Sequence, residues 1–145
     1  MAIGVLRPVG ERTPLFPGVR CRQTWPLGYT VTWLETGTAA LALALRIAVQ
    51  SKSGPKPEVI VPAYTCPDVI SAALWAGATP VVVDTSMGTP WLSEADLERS
   101  MSDSTVAIIV PHFLGIRHPM PELTSRCRDR GIIIVEDSAQ LSPRS

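Results

Sequence analysis

Four β-branched residues in a row, Ile132 to Val135, run directly into two acids, Glu136 and Asp137. Extended, such a run is apolar on both faces. Strands of that kind belong to parallel sheets covered by helices on both sides. In open α/β sheets, ligands sit just beyond the carboxyl ends of the strands. Asp137 stands at that place, and Gln140 follows three residues later. An acid at a strand end also serves structure, by capping the next segment or accepting backbone hydrogen bonds. The stretch alone leaves both readings open.

The preceding segments alternate in kind. Thr36 to Val49 is rich in Ala and Leu, strong helix formers, and is apolar nearly all round, which predicts a buried helix. It starts near Gly37 and Thr38. The first N–H groups of a helix lack internal acceptors and its dipole is positive there, which suits a phosphate and equally an ordinary N-cap. Ser51 to Pro57 reads as a turn, and Glu58 to Val61 as a strand ending at Pro62. Pro67 fits the first turn of a helix over Val69 to Ala76, which Gly77 ends. Thr79 to Val83 is a further strand, ending at Asp84. Ser93 caps a helix running to about Met101, with Asp96 as the capping-box acid. Thr105 to Val110 is a strand, and about Pro121 to Arg130 a helix closed by Gly131. Helix and strand alternate four times, which implies a parallel sheet with right-handed crossovers.

With 145 residues, one domain is the natural count, and 46% hydrophobic residues suit a real core. The formal net charge is zero, and no Lys/Arg cluster points to nucleic acid. Arg126, Arg128 and Arg130 read as a solvated helix face. The longest apolar run, Ala39 to Leu45, is far too short to span a bilayer, so no membrane partner is expected. Met1 to Gly10 makes a poor signal peptide. Cys21, Cys66 and Cys127 form neither a metal-ligand pattern nor a disulfide framework, so no metal and a cytoplasmic location are the expectation. Residues 1–33 hold prolines at 8, 14, 17 and 26 and glycines at 4, 10, 18 and 28, and read as an irregular arm. Tyr29 to Leu34 is its one place for a short strand.

Parallel strands would bring Asp84, His112 and Asp137 to one edge of the sheet, with the start of the Thr38 helix facing them. Four stretches then carry a resemblance: Thr36-Gly37-Thr38-Ala39-Ala40-Leu41, Val59 to Thr65, Gly77 to Asp84, and Val135-Glu136-Asp137-Ser138-Ala139-Gln140. In this order and spacing they resemble the DegT-type sugar aminotransferases, pyridoxal-phosphate (PLP) enzymes of fold type I. The resemblance covers roughly Trp33 to Gln140. It implies a three-layer αβα fold with a mostly parallel sheet, as residues 34–145 of a partial large domain behind the arm of residues 1–33.

The resemblance also implies roles. Asp137 matches the aspartate that pairs with the pyridine nitrogen of PLP, keeping it protonated so that the ring can accept electrons. Gln140 matches a glutamine near the ring hydroxyl. Thr38 and Ala39 match the helix start that holds the phosphate. Cys66 stands where many relatives place an aromatic ring over the cofactor; as a residue, it reads first as a buried small apolar group. His112 matches a strand-exit His-x-x-Gly histidine and reads as structural. Asp84 reads as a structural acid holding loop amides, and Tyr64 as a pocket-lining or packing residue. Nothing marks His118.

In the family, a lysine beyond the Asp-x-x-Gln motif holds PLP as a Schiff base. Here the only lysines are Lys52 and Lys56, both in the turn before a strand and at the opposite edge of the sheet. The expectation is therefore the N-terminal portion of an aminotransferase, inactive as this chain alone. The longer enzyme would move an amino group from an amino acid, typically glutamate, to a keto-sugar, as a homodimer. The alternative is a non-catalytic binding or assembly module on the same fold.

Overall fold

The computed structural model describes residues 2–3, 31–52 and 54–141. Most of the expected arm, residues 4–30 with Cys21 among them, lies outside the described residues. Two short strands, β1 (Ala2–Ile3) and β2 (Val31–Thr32), pair in parallel, so the strand expected near Tyr29 to Leu34 reduces to Val31 and Thr32 where it is described.

Helix α1 (Gly37–Ser51) leads into β3 (Glu58–Pro62), α2 (Pro67–Trp75), β4 (Thr79–Val83), α3 (Glu94–Ser100), β5 (Thr105–Pro111), α4 (Met120–Asp129) and β6 (Ile133–Asp137). The last four strands form one parallel sheet in the order β4-β3-β5-β6. The expected three-layer α/β architecture is what the chain adopts.

Alternation along the strands divides the core in two. Val59, Val61, Ile109 and Val135 pack with Ala44, Leu45 and Ala48 of α1 and Val69, Ala72 and Ala73 of α2. Ile60, Val83, Ile108 and Val110 pack with Leu97 of α3 and Leu123 and Cys127 of α4. One extra residue in β5, Val106, breaks the alternation. Glu58 pairs with Thr105 but Val59 with Ala107, so Val106 and Ala107 both join the first cluster.

The strand hidden on both faces is β5, whose seven residues are all buried. The opening run fares differently. Among the described residues β6 is an edge strand, Ile133 stays exposed, and the strand starts one residue later than expected. It also continues through both acids, because Val110 and Pro111 of β5 offer partners to Glu136 and Asp137.

Helix α1 is not buried all round. Ala40, Ala44, Leu45 and Ala48 make a closed stripe, while Arg46 and Gln50 are exposed. Its alanines let it lie close to β5, β6 and α2. Gly77 ends α2 as expected, at φ 84°. Its N–H donates to Leu74 O at 3.0 Å and that of Ala78 to Ala73 O at 3.1 Å, the paired bonds of a Schellman stop. Ser93 Oγ caps α3 by accepting Asp96 N–H at 3.3 Å. The arginines in and just after α4 do more than face solvent. Arg126 pairs with Glu94 at 3.2 Å and Arg130 with Glu98, both on α3.

Candidate functional site

β3 connects to β4 through α2 on one face, whereas β5 lies on the other side of β3 and is reached through α3 on the opposite face. The chain thus reverses direction between β3 and β5, the place where open α/β sheets bind ligands. The loop after β3 carries Tyr64, and the 3-10 turn after β5 (Phe113–Gly115) carries Phe113. Their rings meet across this switch point, centroids 5.3 Å apart and tilted by 58°. Tyr64 remains 71% exposed, so it lines the edge and is not core.

Helix α1 opens at the same edge. Its far end is fixed at the amino edge, where Lys52 Nζ donates to Thr105 O at 2.9 Å and to Arg130 O at 3.4 Å. Fifteen residues of helix span about 22 Å, the depth of the sheet, so the first turn reaches the carboxyl ends of β5 and β6. Thr36 is the N-cap, its Oγ1 accepting Ala39 N–H at 3.1 Å. Ala39, expected among the phosphate donors, therefore has its N–H committed to the cap. The N–H groups of Gly37 and Thr38 carry no intrahelical bond, and Ala40 N–H returns to Thr36 O.

Asp137 ends β6 level with Pro111. It stands two residues beyond Val135, which packs in the α1 cluster, so alternation turns its carboxylate to the α1 side of the sheet. Oδ1 accepts Ala139 N–H at 3.0 Å, while Oδ2 has no partner among the described residues. Gln140 Oε1 accepts Leu114 N–H at 2.7 Å. A backbone N–H can only donate, so the free end of that amide is its NH2 group.

Neighbouring residues take other parts. His112 is buried, and its Nε2 lies 2.7 Å from Glu136 Oε2. His118, unmarked in the sequence, is buried too. Its Nε2 accepts Leu92 N–H at 3.3 Å, which puts the proton on Nδ1, facing Pro119 O at 3.1 Å. Burial is the main cause lowering its pKa, against the Pro119 hydrogen bond, which raises it. Asp84 does not hold loop amides through its carboxylate. The side chain is exposed, and it is the Asp84 carbonyl that accepts Ser93 N–H at 2.8 Å. Cys66 is exposed, not buried, because it is the N-cap residue of α2 at the open edge, and its side chain makes no cap bond.

Sequence reasoning passed over Thr36, Phe113, Glu136 and His118. A threonine three residues before Ala39 is a cap signal in its own right. The other three gain meaning only from strand order. Among the described residues, no group of His, Cys, Asp and Glu is placed to hold a metal ion, and no helix is long and apolar enough to cross a membrane.

Residues 28–142 match the model of the DegT/DnrJ/EryC1/StrS aminotransferase family. The chain belongs to this family. The chain is 38% identical over 105 residues to UDP-N-acetyl-3-dehydro-alpha-D-glucosamine 3-aminotransferase of Acidithiobacillus ferrooxidans, covering 72% of this chain and 28% of that one. It is 36% identical over 106 residues to GDP-perosamine synthase of Caulobacter vibrioides, covering 73% and 28%. Among solved structures, S. venezuelae DesV superposes with a TM-score of 0.61 at 33% identity, over 70% of this chain and 28% of that one. A Streptococcus pneumoniae protein solved in a PLP form superposes with a TM-score of 0.62 at 35% identity, over 70% and 29%. Family members of this kind are PLP-dependent enzymes of fold type I, and the sheet described here is part of that fold. The chain spans less than a third of the length of these relatives.

Proposed function

We propose that residues 34–145 supply the ring-nitrogen and phosphate sides of a PLP site in a sugar aminotransferase. In the longer enzyme the amino group would pass from an amino acid, typically glutamate, to a keto-sugar. The observation that carries this reading is the Asp137 carboxylate, with Oδ2 uncommitted, on the α1 side of the edge where α1 begins. An acid there suits a protonated ring nitrogen. The Gly37 and Thr38 N–H groups and the Thr38 hydroxyl suit a phosphate. The Gln140 NH2 suits a ring oxygen, and its amide is already oriented by Leu114. Thr36 would have to release Ala39 N–H before that group could join the phosphate site. Tyr64 and Phe113 border the edge, and Cys66 offers only a thiol where relatives offer a ring. When bound, PLP supplies a cationic ring that draws electrons from the substrate carbon.

Both lysines lie away from this edge. Lys52 is held at the amino edge, and Lys56 is exposed in the turn before β3. The lysine that the chemistry requires would come from another segment or another chain, and these 145 residues by themselves would not turn over. The same observation favours the second reading, a module that binds without catalysis. Family membership supports a homodimer with sites between subunits, which sedimentation would test.

Titration with pyridoxamine phosphate tests the reading, because that form of the cofactor needs no lysine. Asp137→Ala should weaken binding by about 10- to 100-fold, the worth of a charged hydrogen bond. Gln140→Ala should cost less, about 2- to 10-fold for a neutral one. No binding by the unaltered chain, or equal mild effects of both changes, would overturn it. Borohydride treatment after PLP addition puts both readings at risk, since PLP fixed to Lys52 or Lys56 would contradict each of them.

A further inference from the structure

His112 has its backbone N–H and both ring nitrogens committed. Its N–H donates to Asp137 O at 3.0 Å. Its Nδ1 accepts His118 N–H at 3.2 Å, which leaves the ring proton on Nε2, where it is donated to Glu136 Oε2 at 2.7 Å. The residue is 1% exposed. It is held from behind by the His118 segment, whose own ring takes Leu92 N–H. One rigid imidazole residue therefore grips two successive residues of β6, one by its carboxylate and the next by its carbonyl.

These two grips oppose each other usefully. Glu136 points to the α3/α4 side with His112, so Asp137 must point to the α1 side. β6 ends at Asp137 and pairs only with β5 among the described residues. The last residue of a strand frays readily, because few bonds hold it. We infer that His112 and Glu136 are positioning residues that fix the rotation of the end of β6, and so aim the Asp137 carboxylate at the α1 side. Neither side chain would touch the cofactor. The inference rests on the role proposed for Asp137, but the clamp itself is a property of the chain without any ligand.

Glu136→Ala tests it in the 145-residue chain, since a half-exposed glutamate can be removed without opening the core. Amide exchange should quicken about tenfold at His112 and at Ala139, whose N–H rests on Asp137 Oδ1, while Val61 and Ile108 stay unchanged. Pyridoxamine phosphate affinity should fall about tenfold. Glu136→Gln, which keeps an acceptor for Nε2–H, should restore both, and His112→Phe should reproduce the loss. Unchanged exchange in Glu136→Ala, equal quickening across the core, or failure of Glu136→Gln to rescue would each overturn the clamp. If the unaltered chain took up no pyridoxamine phosphate, the cofactor reading would fall, and exchange alone would still decide the clamp.

Discussion

Gln140 reaches back across the carboxyl edge to hold Leu114, its Oε1 accepting the Leu114 N–H at 2.7 Å. Leu114 has a φ of 53°, a left-handed conformation that a leucine adopts at a cost of about 1–2 kcal/mol. The residue is 84% exposed, so its side chain contributes little packing. Leu114→Gly should therefore raise stability, by roughly 0.5–1 kcal/mol after the added freedom of the unfolded chain is counted. Urea denaturation measures it, and a loss would mean that the leucine packs on something outside the described residues.

Gly77 presents the opposite case. At φ 84° it closes α2, and an added Cβ would meet Arg46 Nη1 at 3.3 Å. That guanidinium is occupied, donating to Ala76 O at 3.1 Å. Gly77→Ala should destabilise the chain by about 1–2 kcal/mol. The midpoint of denaturation should fall while its slope stays the same.

His118 makes stability depend on pH. Protonation would place a hydrogen on Nε2 against the Leu92 N–H that it now accepts. Burial, chiefly, holds the folded imidazole below its ordinary 6.5, so the unfolded chain takes up this proton at a higher pH than the folded one. The His118 contribution is therefore intact above about pH 6.5, and is lost as pH falls from there toward the folded value. His118→Gln keeps an acceptor without a titrating ring. It should flatten the decline in melting temperature between pH 7 and pH 5, a window set by that ordinary value.

The two described cysteines should separate under alkylation. Cys66 is exposed at the start of α2, whereas Cys127 is buried against α3 and the sheet, and burial pushes its thiol up to about 11. Iodoacetamide at neutral pH should label Cys66 in the native chain and Cys127 only on unfolding. Mass spectrometry of timed samples gives both rates. Native labelling of Cys127 as fast as Cys66 would mean that α4 opens readily.

Much of this was legible in the residues. The four β-branched or apolar runs gave the strands, and Gly77, Ser93 and Pro67 marked helix ends by chemistry that acts within a few residues. What stayed hidden depends on contacts far apart in the chain. Nothing local says that β6 lies at an edge and β5 in the middle among the described strands, so Ile132 to Val135 read as a strand covered on both faces, whereas Ile133 is exposed. Cys66 read as buried because a small thiol usually is, and its exposure follows from the place of α2 at an open edge. The partnership of His112 with Glu136 needs the pairing of β5 with β6, which no residue spacing encodes. Asp137 and Gln140 were found by motif, and their hydrogen bonds to Ala139 and Leu114 came only from the turn between them.

Glu136 and Asp137 are nearly alike in charge and adjacent in the chain, yet they work on opposite surfaces of one sheet. Only parity separates them. A single residue inserted into β6 would exchange their places, offering a longer acid to the α1 side and leaving a shorter one for His112. The length of this five-residue strand thus decides which acid faces α1 as firmly as the identity of any side chain on it.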